Sequence, residues 1–152
     1  LEASTFNKLA RVEQFKVISE AVEKVMEEAV PEEKYTHVFS VAKSIGTGGL
    51  AHLLGKHRTT LEMEKVVWLT PLLQVDVLYD YLCKSCTENL LIIGDKDKCF
   101  VKERVSELTV KENFRTQIVK GGDHSLERGD GVYHSIDCLK EIMQGIDLFL
   151  DE

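Results

Sequence analysis

A chain of 152 residues with 43% hydrophobic content can bury one core, so it reads as a single domain. Its net charge of -7, without basic clusters, argues against a nucleic acid or an anionic membrane as partner, and no apolar run approaches the roughly 20 residues of a membrane span. Four cysteines, three of them in apolar or helical contexts, fit free thiols in a reducing, cytoplasmic setting better than a disulfide framework.

From about Thr5 to Ala29 the residues Leu9, Val12, Phe15, Ile18, Val22, Val25, Met26 and Ala29 recur at helical spacing, with glutamates on the other face. Ser4 or Thr5 is the expected N-cap, Pro31 ends the pattern, and the apolar stripe is expected to pack on a core. Thr36 to Val41 reads as a strand, and a helix follows from Ile45 to Gly55 or Lys56, with His52 and His57 as surface or helix-end histidines. Lys65 to Leu69 is an apolar run of the kind buried in parallel sheets. A helix over Asp76 to Lys84, a strand over Asn89 to Gly94 and a helix over Val101 to Leu108 come next. Arg115 to Val119 is the last strand. The closing helix spans roughly Tyr133 to Leu150 and carries Ile136, Leu139, Ile142, Met143, Ile146 and Leu150.

This alternation predicts an α/β fold: a four-stranded parallel sheet in sequential order, with helices on both faces and the closing helix opposite the others. Ligands of such sheets sit at the carboxyl ends of the strands. Ser44, Asp97 and His124 each fall just after a predicted strand and therefore share that edge. Ala42-Lys43-Ser44-Ile45-Gly46 has small residues two before and two after the serine, as a sharp strand-to-helix turn requires. Gly46, Gly48 and Gly49 are costly inside a helix and are expected to let it sit close to the strand.

Ala42-Lys43-Ser44-Ile45-Gly46, Leu91-Ile92-Ile93-Gly94-Asp95-Lys96-Asp97 and Gly121-Gly122-Asp123-His124, in that order, resemble the α/β-hydrolase family. The resemblance covers the whole chain but only the C-terminal half or so of the family's fold. It is nearest to small, uncapped members of the esterase and dienelactone-hydrolase type. It implies a serine hydrolase acting on a small-molecule ester, thioester or other acyl compound, without a cofactor or resident metal. By that resemblance Ser44 is the nucleophile, His124 the general base and Asp97 the residue that orients the imidazole. Asp95 is the fallback acid, and the backbone N–H of Ile45 is one oxyanion-hole donor.

The match departs from the family pattern at Ala42, where glycine is usual, and it lacks the loop that supplies the second oxyanion donor. The resemblance therefore implies the C-terminal part of a longer chain, with reduced activity in isolation. The first strand would be an apolar edge, covered by self-association or by the segment that precedes this portion. Each residue also has an ordinary alternative: Ser44 or Asp97 as a helix cap, His124 as a loop histidine bonded to backbone. Cys83-Lys84-Ser85-Cys86 has no second pair to complete a zinc site, and His124 with Asp123 and Asp130 is a weak metal candidate. A non-catalytic binding or scaffold module on this fold, or a flavodoxin-like crevice, stays open as an alternative function.

Overall fold

The computed structural model describes residues 3–29, 37–55 and 63–152. Pro31, Thr36, Lys56 and His57, named above as boundaries or surface groups, lie outside the described residues. The elements run α1 (Ala3–Phe6), α2 (Arg11–Ala29), β1 (Phe39–Lys43), α3 (Ile45–Gly55), β2 (Lys65–Leu69) and α4 (Asp76–Lys84). They continue with β3 (Glu88–Gly94), α5 (Lys102–Thr109), β4 (Phe114–Val119) and α6 (Val132–Asp151). The four strands form one parallel sheet in the order β1-β2-β3-β4. Among the described residues no helix is long and apolar enough to cross a membrane.

Each crossover carries the chain one strand further in the same direction, so α3, α4 and α5 fall on one face. Ala42, Val66, Trp68, Leu91 and Ile93 point to that face and meet Leu50, Leu78, Leu82, Val105 and Leu108 from the helices. The alternate residues Val67, Leu90 and Ile92 point the other way, to Ile142, Ile146 and Phe149 of α6. Because both faces are covered there, β3 is buried almost end to end, as parallel strands usually are. Its one interior polar residue, Asn89, accepts the indole N–H of Trp68 at 2.8 Å, so neither buried polar group is left unpaired.

The expected single N-terminal helix is two, with the break at residues 7–10. A continuous helix would bond the Ala10 N–H to the Phe6 carbonyl. Instead Glu13 Oε2 accepts the Ala10 N–H at 3.1 Å, as the third residue of a helix does in a capping box. The Gln14 side-chain amide donates to the Phe6 carbonyl at 3.0 Å. Ser4 and Thr5 consequently lie inside α1 rather than capping a long helix.

The apolar stripe of α2 is only partly a core face. Phe15 is fully buried, whereas Val12 and Val25 are exposed and the buried polar neighbours are Gln14 and Ser19. The reason is the partner, α3. A Cβ on Gly48 would lie 2.1 Å from the Phe15 ring, and one on Gly49 would lie 2.2 Å from Ile18. These glycines bring α3 close to α2, not to the strand as the sequence suggested. Gly46 has nothing within 4 Å of its missing Cβ, so among the described residues no crowding requires a glycine there.

Candidate functional site

Ser44 sits between the end of β1 and the start of α3 with φ 52°, a left-handed conformation that a residue bearing a Cβ rarely adopts. It is held there from both sides. Its N–H donates to the Leu69 carbonyl of β2 at 3.0 Å, and its carbonyl accepts the Thr47 N–H at 3.0 Å and the Thr47 hydroxyl at 2.6 Å. Thr70, next along at the end of β2, is also left-handed (φ 44°) and buried, and its N–H donates to the Ile92 carbonyl at 2.8 Å.

The turn after β3 and the loop after β4 are laced together by backbone bonds. The Asp95 N–H donates to the Val119 carbonyl at 3.1 Å, and the Lys96 N–H to the Gly122 carbonyl at 2.9 Å. Gly94 makes this approach possible, because a Cβ there would lie 2.0 Å from the Gly122 oxygen. Asp95 Oδ1 accepts the N–H of Gly121, whose φ of 77° favours glycine, at 2.7 Å. The fallback acid therefore pins the histidine loop and does not meet the imidazole. Asp123 Oδ1 accepts the N–H groups of Ser125 and Glu127 at 2.8 and 3.1 Å, folding the loop around His124.

These supports bring Ser44, His124 and Asp97 into one hydrogen-bonded line. Ser44 Oγ and His124 Nε2 are 2.7 Å apart, and His124 Nδ1 and Asp97 Oδ2 are 2.8 Å apart. The Asp97 side chain is fully buried and that of His124 is 31% exposed, so the line runs from the interior outward. The second Asp97 oxygen accepts the Cys99 backbone N–H at 2.8 Å. Asp97 thus spends both oxygens on this turn and the imidazole, and the cap position of α5 is Val101, without a side-chain cap. A buried carboxylate on Nδ1 favours the proton there, which leaves Nε2 a lone pair facing the hydroxyl. Such a pair can move a proton from Ser44 to His124. The N–H of Ile45 opens α3 and is one of the four helix donors with no intrahelical acceptor.

The sequence reading missed three supports. Lys43 Nζ donates to the His124 carbonyl at 3.3 Å, Cys99 anchors Asp97, and Asp95 anchors the loop. Of these only Asp95 had a visible signal, its place before a turn. All four cysteines are free thiols, with Cys99 and Cys138 buried. Burial, the largest cause, pushes the Cys99 thiol above its ordinary pKa. Asp130 pairs with Arg128 and Asp123 with its own loop, so neither joins His124 in a ligand cluster.

Beside this edge, a cleft of about 570 Å³ opens between α6 and the end of β1, lined in part by Lys43, Leu69, Leu126, Leu139 and Met143.

No family model matches the chain, and no curated protein matches it. Solved structures share its fold. One is a predicted CIB-like hydrolase from Thermoplasma acidophilum, with TM-score 0.55 and 18% identity over 72% of this chain and 50% of that one. Another is an uncharacterized protein from Bacillus cereus, with TM-score 0.59 and 15% identity over 88% of this chain and 44% of that one. The chain spans about half the length of these structures.

Proposed function

We propose that this protein is a serine hydrolase of the α/β-hydrolase type, cleaving an ester or other acyl compound with Ser44, His124 and Asp97. The observation that carries this reading is the line of 2.7 and 2.8 Å contacts joining Ser44 Oγ, His124 and Asp97 at the carboxyl edge of the sheet. Ser44 attacks the acyl carbon while Nε2 takes its proton, and the resulting imidazolium gives that proton to the leaving group. Water then enters, is deprotonated by His124, and releases the acid from the serine. Asp97 holds the ring and offsets its charge. The Ile45 N–H, at a helix N-terminus, faces the developing oxyanion as one donor. One of the structures that share the fold is a predicted hydrolase, which agrees with this reading.

On this reading the chain is one domain, the C-terminal part of a longer α/β-hydrolase in the cytoplasm, and its second oxyanion donor comes from the rest of the protein. The exposed edge of β1 is then covered by that further polypeptide or by a second copy of the chain.

The test is made on the full-length protein with a fluorophosphonate probe and a short-chain nitrophenyl ester. Labelling and turnover vanish in Ser44→Ala and His124→Ala, and Asp97→Asn loses a factor on the order of 10⁴ in rate. Unchanged activity in Ser44→Ala would end this mechanism. An intact protein that never labels would favour a binding module.

A further inference from the structure

We propose that Asp97, Cys99 and His124 form a binding site for a thiophilic divalent cation of the zinc class, and that its occupancy silences Ser44. The silencing rests on the serine-hydrolase reading; the binding does not. One carboxylate oxygen of Asp97, the Cys99 sulfur and a ring nitrogen of His124 lie within 4.8 Å of one another. Zinc bonds of ~2.0–2.3 Å at tetrahedral angles put ligand atoms about 3.3–3.7 Å apart. Closing the set therefore takes shifts on the order of 1 Å, within reach of a loop side chain. His124 is that member, with 31% of its side chain exposed on a loop, whereas the Asp97 side chain and Cys99 are fully buried. A sulfur, a nitrogen and a carboxylate oxygen suit zinc, whose fourth position is commonly taken by a water.

The consequence for Ser44 follows from proton placement. Nδ1 is the ring nitrogen that faces Asp97, so it is the one the cation takes. A neutral imidazole has a single lone pair available for bonding at one nitrogen and a proton on the other. With the cation on Nδ1, the ring proton passes through solvent to Nε2. Nε2–H then donates to Ser44 Oγ and has nothing with which to accept the serine proton. The thiol of Cys99 binds as thiolate, so one proton is released to solvent for each cation bound. Asp97 binds in its ionised form, and its pairing with the imidazole is exchanged for the metal bond.

Cobalt(II) is the probe, because a thiolate ligand gives it a charge-transfer absorption band. The intact protein shows the band, and zinc chloride displaces it. The band survives Cys83→Ser/Cys86→Ser, which removes the competing thiol pair. It disappears in both Cys99→Ser and Cys99→Ala, and His124→Gln weakens cobalt affinity on the order of tenfold or more. In parallel, ester hydrolysis is measured with and without zinc. The ratio of the two rates moves toward one in Cys99→Ser, whatever the variant's own activity. No band in the intact protein, or a band that persists without Cys99, overturns the proposal. If the Cys99 variants fail to melt cooperatively, His124→Gln decides, since its loop position does not carry the core; unchanged affinity there also overturns it. Cobalt binding in a protein that never reacts with fluorophosphonate would sink the hydrolase reading and leave the metal site standing. Labelling without cobalt binding would do the reverse.

Discussion

The two faces of the sheet differ in how completely the described residues cover them. On the α3–α4–α5 face every strand meets a helix, and Trp68, Leu78, Leu82, Leu91, Ile93 and Leu108 are sealed from solvent. On the other face, among the described residues, α6 is the helix that lies against β3 and β4. Phe39 and Val41 of β1 point to that same face, paired with Lys65 and Val67, yet remain 41% and 56% exposed. The flank of α6 beside them shows Ile136, Leu139 and Met143 to solvent as well. The larger buried cluster therefore lies on the helix-rich face, while the α6 face combines a smaller core with exposed apolar side chains. The site bridges the two. Asp97 and Cys99 belong to the sealed side, and the His124 loop borders the open cleft.

Substitutions can break this contrast. The largest expected effect is Trp68→Ala, which empties the sealed core and leaves the Asn89 oxygen that accepts the indole N–H with only the longer 3.4 Å bond from the Thr87 hydroxyl. Chemical denaturation should show a loss of about 3–5 kcal/mol. A loss under ~1 kcal/mol would mean the covered face is not where stability lies.

Gly48→Ala comes next, since its methyl meets a fully buried Phe15 ring that cannot retreat into solvent. It should cost about 1–3 kcal/mol by overpacking the α2–α3 contact, read from the same denaturation midpoint. A neutral result would show that α2 is loosely held.

The smallest effect on folding is expected from Leu139→Ser with Met143→Ser on the open flank of α6. Stability should stay within about 0.5 kcal/mol per substitution. Burying apolar surface is favourable at about 25 cal/mol per Å², so the proposed self-association through this face should weaken in the same variant. Sedimentation velocity reads it directly. A parent chain that sediments as a monomer at every concentration would rule out the second copy as the cover of β1.

The two central strands were legible in the sequence because parallel strands buried on two faces read as unbroken apolar runs. Lys65–Leu69 and Asn89–Gly94 are such runs, and the structure extends the second by only one residue, to Glu88. The first strand, expected over Thr36 to Val41, is instead Phe39–Lys43, with His37 and Val38 outside it. Alternation with helices then dictated a parallel sheet in sequential order, since right-handed crossovers leave few other paths. The same logic put Ser44, Asp97 and His124 on one edge, because residues that follow parallel strands share it.

Distance and partnership were decided only by the tertiary structure. Helical periodicity marks which side of α2 or α6 is apolar, but it cannot say whether anything packs there; hence Val25 and Leu139 are exposed while Gln14 and Ser19 are buried. The glycines after Ser44 announce a close approach without naming the partner, which is α2. Asp95 and Asp97 are chemically identical in the sequence and two residues apart. Only the fold of the turn sends one to the Gly121 N–H and the other to the imidazole. Cys99 carries no signal as a lone cysteine, and gains one only because the chain's turn sets its sulfur beside a carboxylate and a ring 25 residues further on. Local spacing along the chain fixes elements and edges through covalent geometry, whereas contacts between distant residues depend on packing that no local pattern encodes.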